Sequence, residues 1–174
     1  MDERLVEPTP SRREGSLAAA AVIGGLTAVA PVLGSGSRVA ARRPWYRLLR
    51  KPPWQPPPQV FGPVWGAIYV AIGISGYRVW RSRSPVRRRA LALWGAQLAL
   101  NAAWTPLFFG RRRTRAALVD LSLLVPAVAA YAITARRADA LAGALMIPYL
   151  GWTGFAWTLN AAIVSRNRRT LARR

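Results

Sequence analysis

The chain has 174 residues, enough for one domain. It is 52% hydrophobic, yet its formal net charge is +20; a membrane protein reconciles the two, with charge in loops and apolar residues in spans. It has no cysteine and no histidine, which excludes disulfides, the usual zinc sites, Cys or His nucleophiles, His proton relays and haem held by an axial His or Cys thiolate.

Residues 1–16 mix acids with arginines and read as a polar N-terminal tail. Five apolar segments of about 20 residues follow, the length that crosses a bilayer. They run over about 17–35, 61–80, 90–109, 116–135 and 138–164. Only helices or closed barrels satisfy the backbone inside lipid. The segments lack strict alternation, so the fold class expected is all-α: a polytopic membrane protein, a bundle of five transmembrane helices. The first segment has a rival reading as the apolar core of a signal peptide, with Ala28-Val29-Ala30 as its cleavage signal. The acids at Asp2, Glu3, Glu7 and Glu14 argue against that reading, because a signal peptide begins with a clean basic region. Residues 168–174 form a basic C-terminal tail.

The first connection, 36–60, holds six prolines with Trp45, Tyr46 and Trp54 between them. Proline fixes φ and blocks helix. An extended linker or a ligand for a proline-reading domain is one interpretation. A rigid lid at the membrane surface is the one favoured here, since long loops in small domains are often functional. The other connections are short, so segments two to five are antiparallel neighbours. Pro63 falls near the start of the second segment, where its missing N–H is harmless. Pro126 and Pro148 fall inside the fourth and fifth and are expected to kink them.

All basic residues but Lys51 are arginines, and almost all lie between segments. The loops after the first and third segments and the C-terminal tail carry the larger share. By the positive-inside rule this favours the N-terminus outside and the C-terminus in the cytoplasm. The run Arg111-Arg112-Arg113-Thr114-Arg115 lies between two spans, so it suits topology anchoring or contact with anionic lipid, and no nucleic acid is expected as a partner.

At about 100° per residue, Trp94, Gln97, Asn101, Trp104 and Phe108 share one face of the third segment. Gly95, Ala99 and Ala103 share the opposite face, with the small-residue spacing that lets helices approach closely. Two amides in a span are costly in lipid and should point inward; they face either a ligand or a neighbouring helix. In the fifth segment Tyr149, Trp152, Ala156 and Asn160 share a face, and the second adds Phe61, Trp65 and Tyr69. Interfacial belts account for some tryptophans, with Trp45, Trp54 and Trp80 as candidates. Trp65 and Trp152 lie at least a turn inside their segments. A flat, apolar, conjugated ligand stacked between rings accounts for them better. Asp120, about one turn inside the fourth segment, is either a functional intramembrane acid or a partner of Arg115 or Arg112 near the interface.

The strings WYRLLRKPPWQPP, FGPVWGAIYVAIGIS, QLALNAAWTPLFF, ALVDL and PYLGWTGFAWTLNAAI, in this order over about 17–167, closely resemble the TspO/MBR family, also called translocator proteins or peripheral benzodiazepine receptors. The resemblance implies a five-helix membrane bundle, commonly a dimer, that binds porphyrins such as protoporphyrin IX and haem, and sterols in animals. It implies a pocket between the helices beneath the first loop, with Trp65, Asn101, Trp104, Trp152, Phe155 and Ala156 facing the ligand. With the aromatics and amides above, the candidate ligand-binding set is Trp45, Tyr46, Trp65, Tyr69, Gln97, Asn101, Trp104, Phe108, Tyr149, Trp152, Phe155 and Ala156. Light- and oxygen-dependent porphyrin breakdown by some bacterial relatives maps to Trp65 and Trp152, the only candidate catalytic residues. Family dimers along the third helix map to Gly95, Ala99 and Ala103. One departure stands out: after Leu159-Asn160 the chain reads Ala161-Ala162, without the tyrosine of the animal sterol motif. That lowers the expectation of a sterol ligand.

The sequence carries no acid–base pair, metal cluster or phosphate loop, so ordinary enzymology is not expected, and neither a metal nor a tightly bound cofactor. A bacterial membrane protein binding porphyrin as sensor, scavenger or regulator is the leading reading; photooxidation and tetrapyrrole transport are the alternatives. Segments this short, without an inverted repeat, do not favour a secondary transporter. For ligand propionates, Arg42, Arg43, Arg47 and Arg50 are candidate partners.

Overall fold

The structure is a computed structural model that describes residues 24–25 and 44–167. The first segment lies outside the described residues except for Gly24 and Gly25, which are helical; Arg42, Arg43 and both tails lie outside them too. Among the described residues every regular element is helical: α1 (Pro44–Arg47), α2 (Pro58–Arg81), α3 (Arg87–Thr105), α4 (Thr114–Ala138), α5 (Ala140–Ala144) and α6 (Ile147–Arg166), with a π-helical turn, Pro106–Gly110, continuing α3.

Helix α2 opens with proline in its first turn, where no N–H is needed. It begins three residues before the expected start, so Pro63 lies inside the helix and not in its first turn. Helix α4 carries Pro126 within it, as expected. These two helices are long and apolar enough to cross a membrane. Helix α3 is less apolar because its first turn is Arg87-Arg88-Arg89 and its interior carries Gln97 and Asn101.

Helix α4 packs against every longer helix, α3 and α6 most extensively. The bundle is pinned by side-chain bonds to backbone and by two close approaches. Trp94 of α3 donates its indole N–H to the Ile72 carbonyl of α2 at 3.1 Å. That ring lies where a Cβ on Gly76 would sit, 2.7 Å from the indole nitrogen. Gly143 likewise lets α5 press on α4, since a Cβ there would fall 2.6 Å from Cβ of Arg136. Ser75 of α2 donates to the Ala142 carbonyl at 2.8 Å. Its single proton thus spent, Ser75 accepts from the Tyr131 hydroxyl at 2.8 Å. Between α4 and α6, the Trp157 indole donates to Ser122 at 2.9 Å.

The expected continuous helix over 138–164 is two helices. Asp139 leaves the helical region, with φ −159° and ψ 119°, and its carboxylate accepts from the Ala142 amide, capping α5. Arg78 of α2 grips the same carboxylate with two bonds of 2.9 and 2.8 Å. Pro148 then falls in the first turn of α6 and kinks nothing. The proline-rich connection is not wholly extended either, since Pro44 begins the short helix α1.

Candidate functional site

The aromatic stripes meet in two groups. In the first, Trp65 and Tyr69, one helical turn apart on α2, stack at 5.3 Å and 26°. Trp65 meets Trp152 of α6 edge-on, 6.4 Å away at 88°, and Tyr149 at 6.3 Å. Phe61 packs on Trp152 at 5.6 Å. Phe155 lies 5.5 Å from Trp152 and receives the ring of Trp54 from the first connection at 5.8 Å. Ala156 packs beside this group.

Asn101 ties the group to α3. The Tyr69 hydroxyl donates to its Oδ1 at 2.8 Å, and its Nδ2 donates to the Tyr149 hydroxyl at 3.0 Å. All three residues are buried. A buried amide on α3 is thus met by two phenols from two other helices, each hydrogen bond contributing about 1 kcal/mol net.

The second group lies at the other end of the α3 stripe. Trp104 stacks on Phe108 at 5.1 Å and 20°. Trp45 and Tyr46 of α1 pack on Phe108 at 6.1 and 6.0 Å, and Tyr46 meets Phe109 at 5.3 Å. The π-helical turn produces this arrangement by turning Phe108 and Phe109 inward together, both under 8% exposed. Trp104 packs against both groups and joins them.

The candidate residues therefore fall into an aromatic wall of Trp65, Tyr69, Asn101, Tyr149, Trp152, Phe155 and Ala156, and a loop-side cluster of Trp45, Tyr46, Trp104 and Phe108. Gln97 stands apart. It is fully buried, and neither of its side-chain polar atoms has a hydrogen-bond partner among the described residues. The indole nitrogens of Trp45 and Trp104, Oδ2 of Asp120 and the side-chain amide of Asn160 share that condition. Such groups cost free energy until a donor or acceptor reaches them.

Three expectations are corrected by these contacts. Trp45 is 7% exposed and packed on Phe108, so it is no interfacial belt residue. Trp54 is half-exposed but sits on Phe155, so its ring belongs to the wall as much as to the surface. No ion pair joins Asp120 to Arg112 or Arg115; it is buried on α4. Gly95 and Ala99 are exposed on the far face of α3, and Ala103 is half-buried.

Asn167 escaped the sequence reading. Its Oδ1 accepts from the Arg50 amide at 3.0 Å, and its Nδ2 donates to the Arg50 carbonyl at 2.9 Å. One side chain at the end of α6 thus holds the first connection by both backbone groups. A polar residue just past a helix was the only local signal.

The TspO/MBR family profile matches residues 18–166. The human "Translocator protein" is 45% identical over 122 residues, 68% of this chain and 72% of its own length. The "Tryptophan-rich sensory protein" of Cereibacter sphaeroides is 39% identical over 116 residues, 67% of this chain and 72% of its own length. The "Tryptophan-rich protein TspO" of Archaeoglobus fulgidus is 36% identical over 148 residues, 84% and 96% of the two chains. With motifs in order from the first connection to the last helix, and with that helical architecture, the chain belongs to the TspO/MBR family of helical-bundle membrane proteins.

Proposed function

We propose that this protein binds a tetrapyrrole, a porphyrin or haem, between α2, α3 and α6 and beneath the first connection, as a sensor, scavenger or regulator of that pigment in a bacterial membrane. The observation that carries this reading is the wall itself. Trp65, Tyr69, Tyr149, Trp152 and Phe155 come from two helices, within 6.4 Å of a neighbour in each contact. Flat aromatic faces suit a flat conjugated ligand, each aromatic pair contributing roughly 0.5–1.5 kcal/mol beyond buried area.

The residues present fit a porphyrin held by stacking and by its edges. Buried indole N–H groups and the Gln97 amide supply unengaged donors, and Gln97 supplies an acceptor. With no histidine or cysteine in the chain, iron in a haem has neither of its commonest protein ligands. Free-base porphyrin therefore fits at least as well as haem. Affinity in the micromolar range, about −8 kcal/mol, is expected.

The edge-on contact of Trp65 with Trp152 favours one second reading, photooxidative porphyrin breakdown, because both indoles border the proposed ligand. The exposed Gly95 and Ala99, with Ala103, are the proposed dimer face, and the N-terminus is proposed to lie outside. The test is titration of purified protein with protoporphyrin IX, following tryptophan emission in the dark and absorbance under light. Saturable quenching supports binding; an unchanged emission refutes it. Pigment loss under light that needs oxygen and Trp65 supports the second reading.

A further inference from the structure

The first connection and the π-helical turn bring together cations that no carboxylate of the described residues neutralises. The Lys51 ammonium sits over the Tyr46 ring, 4.2 Å from its centroid. The Arg112 guanidinium sits over the Trp45 ring at 6.0 Å. Those two rings touch edge to face at 6.0 Å. Of the two acids among the described residues, Asp139 is held by Arg78 at the far end of α4, and Asp120 pairs with neither cation.

Three independent features make this more than a solvated basic loop. Arg112 has φ 56°, the one positive φ among the described non-glycine residues, where the Arg113 amide closes the π-helical turn on the Leu107 carbonyl at 3.0 Å, so the turn fixes where its side chain starts. The Lys51 amine is lowered from its ordinary pKa, first by burial and then by Arg47, so its charge is carried at a cost. Trp45 is 7% exposed, and its indole N–H has no acceptor among the described residues. A lone anion pairs the cations and accepts from the indole N–H.

We propose that Lys51, Arg112 and the Trp45 indole N–H form a carboxylate-binding site at the edge of the loop-side cluster, which takes the acidic edge of an amphipathic ligand while its apolar body lies against the aromatic wall of α2 and α6. For the ligand's identity this rests on the tetrapyrrole reading, whose propionates are such an edge. The site differs from the arginines expected from sequence, of which Arg50 is held through its backbone by Asn167.

Lys51 is the chain's single lysine, so 15N-lysine labelling gives one side-chain signal. Protein in phosphatidylcholine nanodiscs is titrated with pH alone, with protoporphyrin IX, and with its dimethyl ester. The acid is expected to raise the Lys51 midpoint and to bind about tenfold tighter than the ester. Lys51→Gln should bring acid and ester to equal affinity. Arg112→Asn, which tolerates a positive φ, should reduce the midpoint rise while the fold is kept. Equal midpoints and equal affinities for acid and ester overturn the site. If neither porphyrin quenches tryptophan, the tetrapyrrole reading has failed alone. Palmitate and methyl palmitate then replace the pair: a rise with the acid only upholds the site, and no rise overturns it. A midpoint that rises with phosphatidylglycerol and not with either acid assigns the cations to lipid phosphate, which also overturns it.

Discussion

Asn101 donates to the Tyr149 hydroxyl at 3.0 Å while accepting from Tyr69 at 2.8 Å, so one amide joins α3 to both α2 and α6. Replacing it by leucine keeps the size and strands two buried hydroxyls. The expected loss is about 1–3 kcal/mol per stranded group. Thermal unfolding in detergent reads it, and Asn101→Leu should unfold well below wild type. A Tyr69→Phe/Asn101→Leu/Tyr149→Phe triple variant removes every orphan and should recover part of the loss. Equal stability of wild type and Asn101→Leu would show that the pair is not a structural joint.

The contact of Trp94 with Gly76 makes a sharper test of the α2–α3 seam. A methyl group on Gly76 meets the indole at 2.7 and 2.8 Å, closer than real Cβ contacts come. Gly76→Ala is expected to cost about 1–3 kcal/mol through overpacking. Trp94→Leu vacates that space, so the double variant should fall short of the summed single losses. Additive losses in a double-mutant cycle would mean that the two residues do not compete for one volume.

How much of this was legible from sequence depends on how local the cause is. The faces bearing Trp65 and Tyr69, Trp94 and Asn101, and Tyr149 were readable, because three- and four-residue spacing is set within one helix. The break at Asp139 was not. It needs Arg78, 61 residues away, and the Ala142 amide to hold the carboxylate in a capping geometry. Once that cap exists, Pro148 shifts from a helix interior to a helix start. The division of the aromatics into two groups was also hidden, since it follows from α1 folding onto Phe108 across the bundle. The spacing of Gln97 turns it inward and it is buried, but only the packed structure shows that its amide meets no partner among the described residues.

Trp65→Phe and Trp152→Phe probe the wall under the proposed function. Each keeps a ring and removes the wider indole face. Each is expected to weaken protoporphyrin IX binding about two- to tenfold, from the roughly 0.5–1.5 kcal/mol of an aromatic pair. Quenching titrations read the change through the remaining tryptophans. Ala156→Phe, which fills space beside the wall, should weaken binding more than either. Unaltered affinity in all three would place the pigment elsewhere.

Asn167 holds Arg50 by its amide and its carbonyl, and also donates to the Ile163 carbonyl at 2.8 Å. Asn167→Ala removes the clamp without touching the aromatic wall. Local opening of the connection should become more frequent, exposing the Arg50–Lys51 bond. Limited trypsin digestion is expected to cut there several-fold faster than in wild type, and porphyrin release to speed up with it. Unchanged digestion at that bond would show that the prolines alone hold the connection.

The Arg78–Asp139 pair gives the α4–α5 corner a pH dependence of known sign. The guanidinium beside Asp139, with help from the Ala142 amide, holds its carboxyl below the ordinary value. A depressed carboxyl stabilises the fold above its unfolded pKa, about 3.9. That contribution is lost as pH falls through the lower folded value. Both side chains are partly exposed, so the effect is small and screened by salt. The advantage of wild type over Asp139→Asn in thermal midpoint should therefore be present at neutral pH and shrink below about pH 4. It should shrink again at neutral pH in high salt. An advantage that persisted in acid would show that it does not come from the charge pair of Asp139 with Arg78.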